Sequence, residues 1–178
     1  MIKGTFVGLR AIEEVDLHQL LLWRNDPSLR RFFREYRELN FTQQLEWFDK
    51  KVNHDASTRM FSIVDIETNE LLGACGLCYI DWANRTADFS IYLGHKGLYI
   101  DSEYAPEAAH LLIGYGFDEL SLNRLWSEIY SFDKQKSVFF NNLGFKLEGT
   151  HRQTHWGEGF WCDSLFYALL RSDLNPIK

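Results

Sequence analysis

Ala87-Asp88-Phe89-Ser90-Ile91-Tyr92-Leu93, closed by Gly94, is the stretch from which the fold can be read. Phe89, Ile91 and Leu93 alternate with Asp88, Ser90 and Tyr92, the period-two signature of a strand. Downstream, Tyr104, Ala108, Leu111, Leu112, Tyr115 and Leu120 recur at roughly helical spacing. A helix is predicted over Ser102 to Leu120, with Ser102 able to cap it and Pro106 tolerable only in its first turn. Leu125-Trp126-Ser127-Glu128-Ile129-Tyr130 reads as a second strand, and Lys134 to Asn142 as a short helix halted at Leu143-Gly144-Phe145. Strand, helix and strand in this order make a parallel crossover.

Working outward, Thr5 to Leu9 is a predicted strand and Ala11 to Trp23 an amphipathic helix, with Glu13, Glu14 and Asp16 favouring its N-terminal dipole. Asn25-Asp26-Pro27 breaks the pattern. A helix over Ser28 to Tyr36 would set Arg30, Arg34 and Arg37 on one face, and Thr42 to Val52 is a further helix. Arg59 to Ile66 and Glu70 to Ile80, around the turn Glu67-Thr68-Asn69, form a meander with Ala87 to Leu93. Lys146 to His155 and Phe160 to Leu170 are strands about Gly157-Glu158-Gly159.

With 178 residues, 46% hydrophobic, the chain fills one core and is too short for two ordinary domains. A net charge of −6 argues against nucleic acid as the main partner, since phosphate binding needs a basic footprint. No apolar run approaches the roughly 18 to 20 residues of a membrane span, and the first residues lack a signal pattern, so a cytoplasmic protein is expected. Cys75 and Cys78 sit three apart in a predicted strand and point to opposite faces, so they and Cys162 read as free thiols. The histidines show no metal spacing; His151 and His155 share a strand face without a third ligand.

Glu107-Ala108, Gly114 to Leu120, Leu122-Asn123-Arg124-Leu125 and Asn142-Leu143-Gly144-Phe145-Lys146-Leu147-Glu148-Gly149 resemble the acyl-coenzyme A N-acetyltransferases of the GNAT superfamily. The chain is most similar to the branch of ribosomal-protein, spermidine and nucleotide-amino-sugar acetyltransferases. The resemblance implies one α/β GNAT-like domain over residues 1–178. Its sheet would be mixed and mostly antiparallel, of about six to seven strands, with a splayed parallel pair and flanking helices. It also implies acetyl-CoA as acyl donor, no metal, a small-molecule amine as acceptor, no membrane partner, and a monomer or homodimer.

Acyl transfer from a thioester to an amine needs the donor's phosphates anchored, a base for the ammonium proton, and a proton route to the thiolate. The resemblance places the donor at Tyr92, Leu93, Lys96, Ser102, Tyr104, Ala105, Asp133, Lys136 and Phe140. Asp101, Ser102 and Glu103 stand where the family has Gly-x-Gly for the pyrophosphate, so two acids would face a polyanion. Glu128 matches the family's base and Asp88 an acid that faces the amine. The position of the usual tyrosine acid is Phe140, which leaves Tyr130, Tyr115 or water as proton donors. Acceptor contacts are expected from Trp23, Arg24, Arg34, Tyr36, Arg152 and His155, whose arginines and aromatics suit a nucleotide-linked amino sugar. A protein N-terminus or a polyamine is the alternative acceptor. A GNAT fold that binds without catalysis is the alternative of another class.

Overall fold

The computed structural model describes residues 1–174. The last residues of the single-domain assignment, 175–178, lie outside the described residues. An eight-stranded sheet runs β1-β2-β3-β4-β5-β6-β8-β7. The strands are β1 Ile2–Lys3, β2 Val7–Ala11, β3 Arg59–Asp65, β4 Leu71–Asp81, β5 Thr86–Leu93, β6 Arg124–Tyr130, β7 Lys146–Gly157 and β8 Phe160–Leu170. All neighbours are antiparallel except β5 and β6, which pair only at Thr86↔Arg124, Ala87↔Leu125 and Asp88↔Trp126 and then diverge. The sheet is thus one strand larger than expected, because the two-residue β1 adds an edge.

The crossover from β5 to β6 is made by α4, Tyr104–Gly114, which buries Ala105, Ala108, Ala109, Leu112 and Ile113. Alanines here let the helix lie close on the sheet. A π-type turn, Tyr115–Glu119, takes over where the sequence period predicts one continuous α-helix to Leu120. The α4 carboxylate of Glu107 accepts from the backbone N–H groups of Thr5, Phe6 and Val7 and so ties the start of β2 to the helix. After α5, Lys134–Asn142, Gly144 takes φ +86°, the left-handed turn that glycine adopts at no steric cost.

The amino-terminal helices depart most from expectation. β2 runs on to Ala11, and the helical residues begin as a short 3-10 turn, Glu14–Asp16, followed by α1, Leu17–Asn25. The Asp16 carboxylate explains the delay: it accepts from Arg10 at 2.6 and 2.8 Å, from Ser62 at 2.8 Å and from the Glu13 amide at 3.0 Å. Burial opposes its ionisation, but these donors hold its pKa below the ordinary aspartate value. Its contribution to stability is therefore present above about pH 4 and lost as pH falls through the depressed folded pKa. Asp16→Ala, which strands a half-buried Arg10, is expected to cost about 3 kcal/mol in urea titration at neutral pH and less as pH falls below the ordinary aspartate range.

The next helix, α2, spans only Pro27–Arg30, capped by Asp26 with Pro27 at its first position. It does not continue to Tyr36, so Arg30, Arg34 and Arg37 do not share a helix face. Tertiary contacts decide the segment instead: Phe33 packs edge-on to Tyr92 and Arg34 reaches Asp88. α3 is Phe41–Trp47, opened by an Asn40–Gln43 capping box, and a π turn over Phe48–Asn53 replaces its predicted end.

Candidate active site

Strand alternation brings Asp88, Ser90 and Tyr92 of β5 to one cavity, and Ser127 and Glu128 line it from β6. The cavity, about 340 Å³, lies where β5 and β6 part, and Arg24, Arg34, Glu35, Lys51 and Lys136 add charge to its lining. A second cavity of about 520 Å³ shares Arg24, Glu35, Trp47, Lys51 and Tyr92 with the first and adds Arg37, Gln43, Gln44, Glu46 and Lys50. The two form one cleft under the loop that joins α2 to α3.

At its centre Arg34 bridges the two candidate acids, with Nη1 at 2.6 Å from Asp88 Oδ2 and Nε at 3.6 Å from Glu128 Oε2. The Asp88 side chain is 6% exposed and that of Glu128 25%. Burial pushes the Asp88 carboxyl above its ordinary range, against the pull of Arg34 and Lys136. Arg24 lies 4.6 Å over the Phe33 ring. Tyr92 is buried, and its hydroxyl is pushed up to about 12 by that burial. Tyr130 stacks on His155 at 3.9 Å; burial, helped by the Glu128 charge, raises its pKa, so it keeps its proton at neutral pH.

Several expected contacts are engaged elsewhere. Trp23 belongs to the core: a Cβ added to Gly94 would come within 2.0 Å of its ring. Phe140 is fully buried among Phe89, Phe145 and Tyr167, so it faces neither substrate. Asp133 is buried, caps α5 through the Lys136 amide and accepts from the Tyr99 hydroxyl at 2.8 Å. Tyr36 and Arg152 are exposed and line neither cavity. Of the expected donor contacts, Leu93 and Ala105 are buried, Lys96 and Ser102 exposed, and Tyr104 packs edge-on to Phe6. Among the described residues no cluster of three metal-ligating side chains occurs, and no helix is long and apolar enough to cross a membrane.

The donor side carries contacts that the sequence did not announce. The Asp101 carboxylate accepts from the amides of Glu103 at 3.3 Å, Tyr104 at 3.2 Å and Ala105 at 2.8 Å, and Pro106 has no N–H to offer. The N-terminus of α4 is thus used by the chain's own anion. In the gap between β5 and β6, Lys136 Nζ donates to the Ile91 carbonyl at 2.8 Å and lies 5.2 Å over the Tyr99 ring. Burial pulls this ammonium down to about 8, with Asp133 and Asp88 opposing. The amides that a donor's diphosphate would use at the start of α4 are engaged by Asp101 in this arrangement.

A family model described as an acetyltransferase (GNAT) domain matches residues 7–146. A relative from Bacillus licheniformis, "Uncharacterized N-acetyltransferase p20", is 26% identical over 167 residues, covering 93% of each chain. Spermidine N(1)-acetyltransferase of Escherichia coli (strain K12) is 30% identical over 143 residues, 80% of this chain and 74% of the relative. In fold, the chain resembles the crystal structure of spermidine N-acetyltransferase from Vibrio cholerae in complex with CoA and spermine. The TM-score is 0.87 at 23% identity, over 97% of this chain and 100% of that one. The dodecameric structure of the Vibrio cholerae enzyme in an intermediate state gives 0.82 at 23% identity, over 98% and 100%. With its splayed parallel pair and a family match over most of its length, the chain belongs to the GNAT acetyltransferases, whose acyl donor is acetyl-CoA.

Proposed function

We propose that this chain acetylates a primary amine of a small polyamine, with the reacting ammonium held between Asp88 and Glu128. The observation that carries this reading is the cation already there: one guanidinium lies between both carboxylates at the mouth of the splay, at 2.6 Å from Asp88 and 3.6 Å from Glu128. A site that holds Arg34 in this way suits an ammonium of the same charge. Of the acids lining the adjoining cavity, Glu35 is held by Arg37 at 2.6 Å, whereas Glu46 meets Lys50 only at 3.7 Å on an exposed surface and suits a second amino group of the same molecule. The Escherichia coli and Vibrio cholerae relatives, described as spermidine acetyltransferases, favour the same acceptor class.

The nucleotide-linked amino sugar expected from the sequence is less well supported, because the arginines meant for its diphosphate are mostly occupied. Arg30 pairs with Glu38, Arg31 with Glu158, Arg34 with Asp88 and Arg37 with Glu35. Among the described residues of this group, Arg24 alone has no carboxylate within ion-pair distance.

In chemical terms an alkylammonium keeps its proton at neutral pH, with a pKa near 10, and must lose it before it can attack. Glu128, the more exposed acid, is suited to take that proton and return it to solvent, and Asp88 to hold the nitrogen in place. Because Arg34 occupies the seat, the substrate has to displace it. Arg34→Ala is therefore expected to lower the KM for the amine about five-fold while kcat changes little. A KM that rises instead would make Arg34 a substrate contact. The function itself is tested by thiol release from acetyl-CoA with spermidine, spermine, an amino-terminal peptide and a nucleotide-linked amino sugar. Polyamines are expected to give the highest kcat/KM, and preference for the sugar would overturn the reading. The assembly state is a separate expectation, a monomer or homodimer, which sedimentation would check.

A further inference from the structure

Two places in this fold present backbone groups of the kind an anionic, amide-bearing ligand uses, and both are filled by one segment of the chain and what it touches. A helix N-terminus attracts anions through its unpaired N–H groups, and a strand bared by a splay offers unpaired N–H and C=O groups to an extended ligand. At the first, Asp101 holds the amides of Glu103, Tyr104 and Ala105. At the second, the Tyr99 carbonyl accepts from Leu93 N–H at 2.8 Å, and Lys136 takes the Ile91 carbonyl at 2.8 Å. The Tyr99 side chain is buried, stacked on Phe32 at 4.3 Å and bonded through its hydroxyl to Asp133; Gln135 donates to the Ile100 carbonyl. Charge points the same way: burial raises the pKa of Tyr104 at the first turn of α4, and the nearby carboxylates of Glu103, Asp65, Asp101 and Glu70 raise it further.

We propose that Gly94–Glu103 is an internal plug of the donor groove: Asp101 stands in for a diphosphate and Tyr99 for the donor's amide arm, so acetyl-CoA binds only when the segment swings out. The inference rests on the acetyl-CoA-dependent reading above. It sets donor binding as a displacement, with Phe32 coupling the plug to the acceptor loop that carries Arg34.

The test is hydrogen–deuterium exchange of the full chain with and without saturating acetyl-CoA, joined to calorimetric titration of wild type, Asp101→Asn with Glu103→Gln, and Tyr99→Phe. Exchange over Lys96–Asp101 is expected to rise when acetyl-CoA binds, although binding protects most of the fold. The double variant should bind acetyl-CoA about five-fold more tightly, and Tyr99→Phe, which loses only the bond to Asp133, a few-fold more tightly. Raising salt should tighten wild-type binding by screening like charge, the reverse of an ordinary phosphate site. Donor-dependent acetylation with Lys96–Asp101 as protected as before would overturn the plug and leave the proposed function standing. Failure of every form to bind acetyl-CoA would overturn the plug, because opening the groove should restore a site.

Discussion

Glu128→Gln is expected to lower turnover by about 10² to 10⁴ while leaving the fold and donor affinity nearly unchanged. The substitution keeps shape and hydrogen bonding and removes only the ability to take a proton. Glu128 sits on β6 between the buried Ser127 and Ile129 and is itself only partly buried, so its place in the cleft comes from the strand and not from its charge. Its loss frees Arg34 to pair with Asp88 alone, which a measured tightening of that pair would reflect. The pH–rate profile separates the roles. If Glu128 is the base, the acidic limb of the kcat/KM profile disappears in the variant. A profile that is merely scaled down, with its shape retained, would move the role to Asp88 or to solvent.

The second large effect concerns stability. Phe140→Ala is expected to destabilise the chain by about 3 to 5 kcal/mol, since the ring is fully buried between β5, β8 and the turn after α5. Phe140→Tyr restores the residue type that resemblance places here, and its outcome is informative for that reason. A hydroxyl added among Phe89, Phe145 and Tyr167 is expected to cost about 1 to 3 kcal/mol if it finds no partner, with no gain in rate. Urea midpoints and steady-state rates for both variants check this. A faster Phe140→Tyr enzyme would show that the ring reaches the reacting groups after all.

The parts of the site that were legible in the sequence are those governed by strict local periods. Alternation places Asp88, Ser90 and Tyr92 on one face, Leu125 to Tyr130 reads as the second strand, and the crossover follows from their order. The helix Lys134–Asn142 and the strand Phe160–Leu170 have the predicted bounds, because Gly144 and the Gly157–Gly159 turn mark them chemically.

What escaped is set by contacts between residues distant in sequence. The Arg34 loop reads as a helix from its residues, but its conformation is fixed by Asp88, Glu128 and Tyr92, which lie far along the chain. Tyr99 carries no signal in its local sequence, and its place rests on Phe32 and Asp133. Asp101 was legible as an acid at a helix start, but not as one whose carboxylate holds three successive amides. The aromatic at position 140 looked like a site residue by alignment with the family. Only packing shows it to be core.

The central claim, that the Asp88–Glu128 pair is the acceptor's seat, is tested most directly by a crystal structure of the chain soaked with spermidine. The expected result is a primary nitrogen within about 3 Å of both carboxylates, with the Arg34 guanidinium displaced toward solvent. A polyamine bound elsewhere, with Arg34 still bridging Asp88 and Glu128, would contradict it.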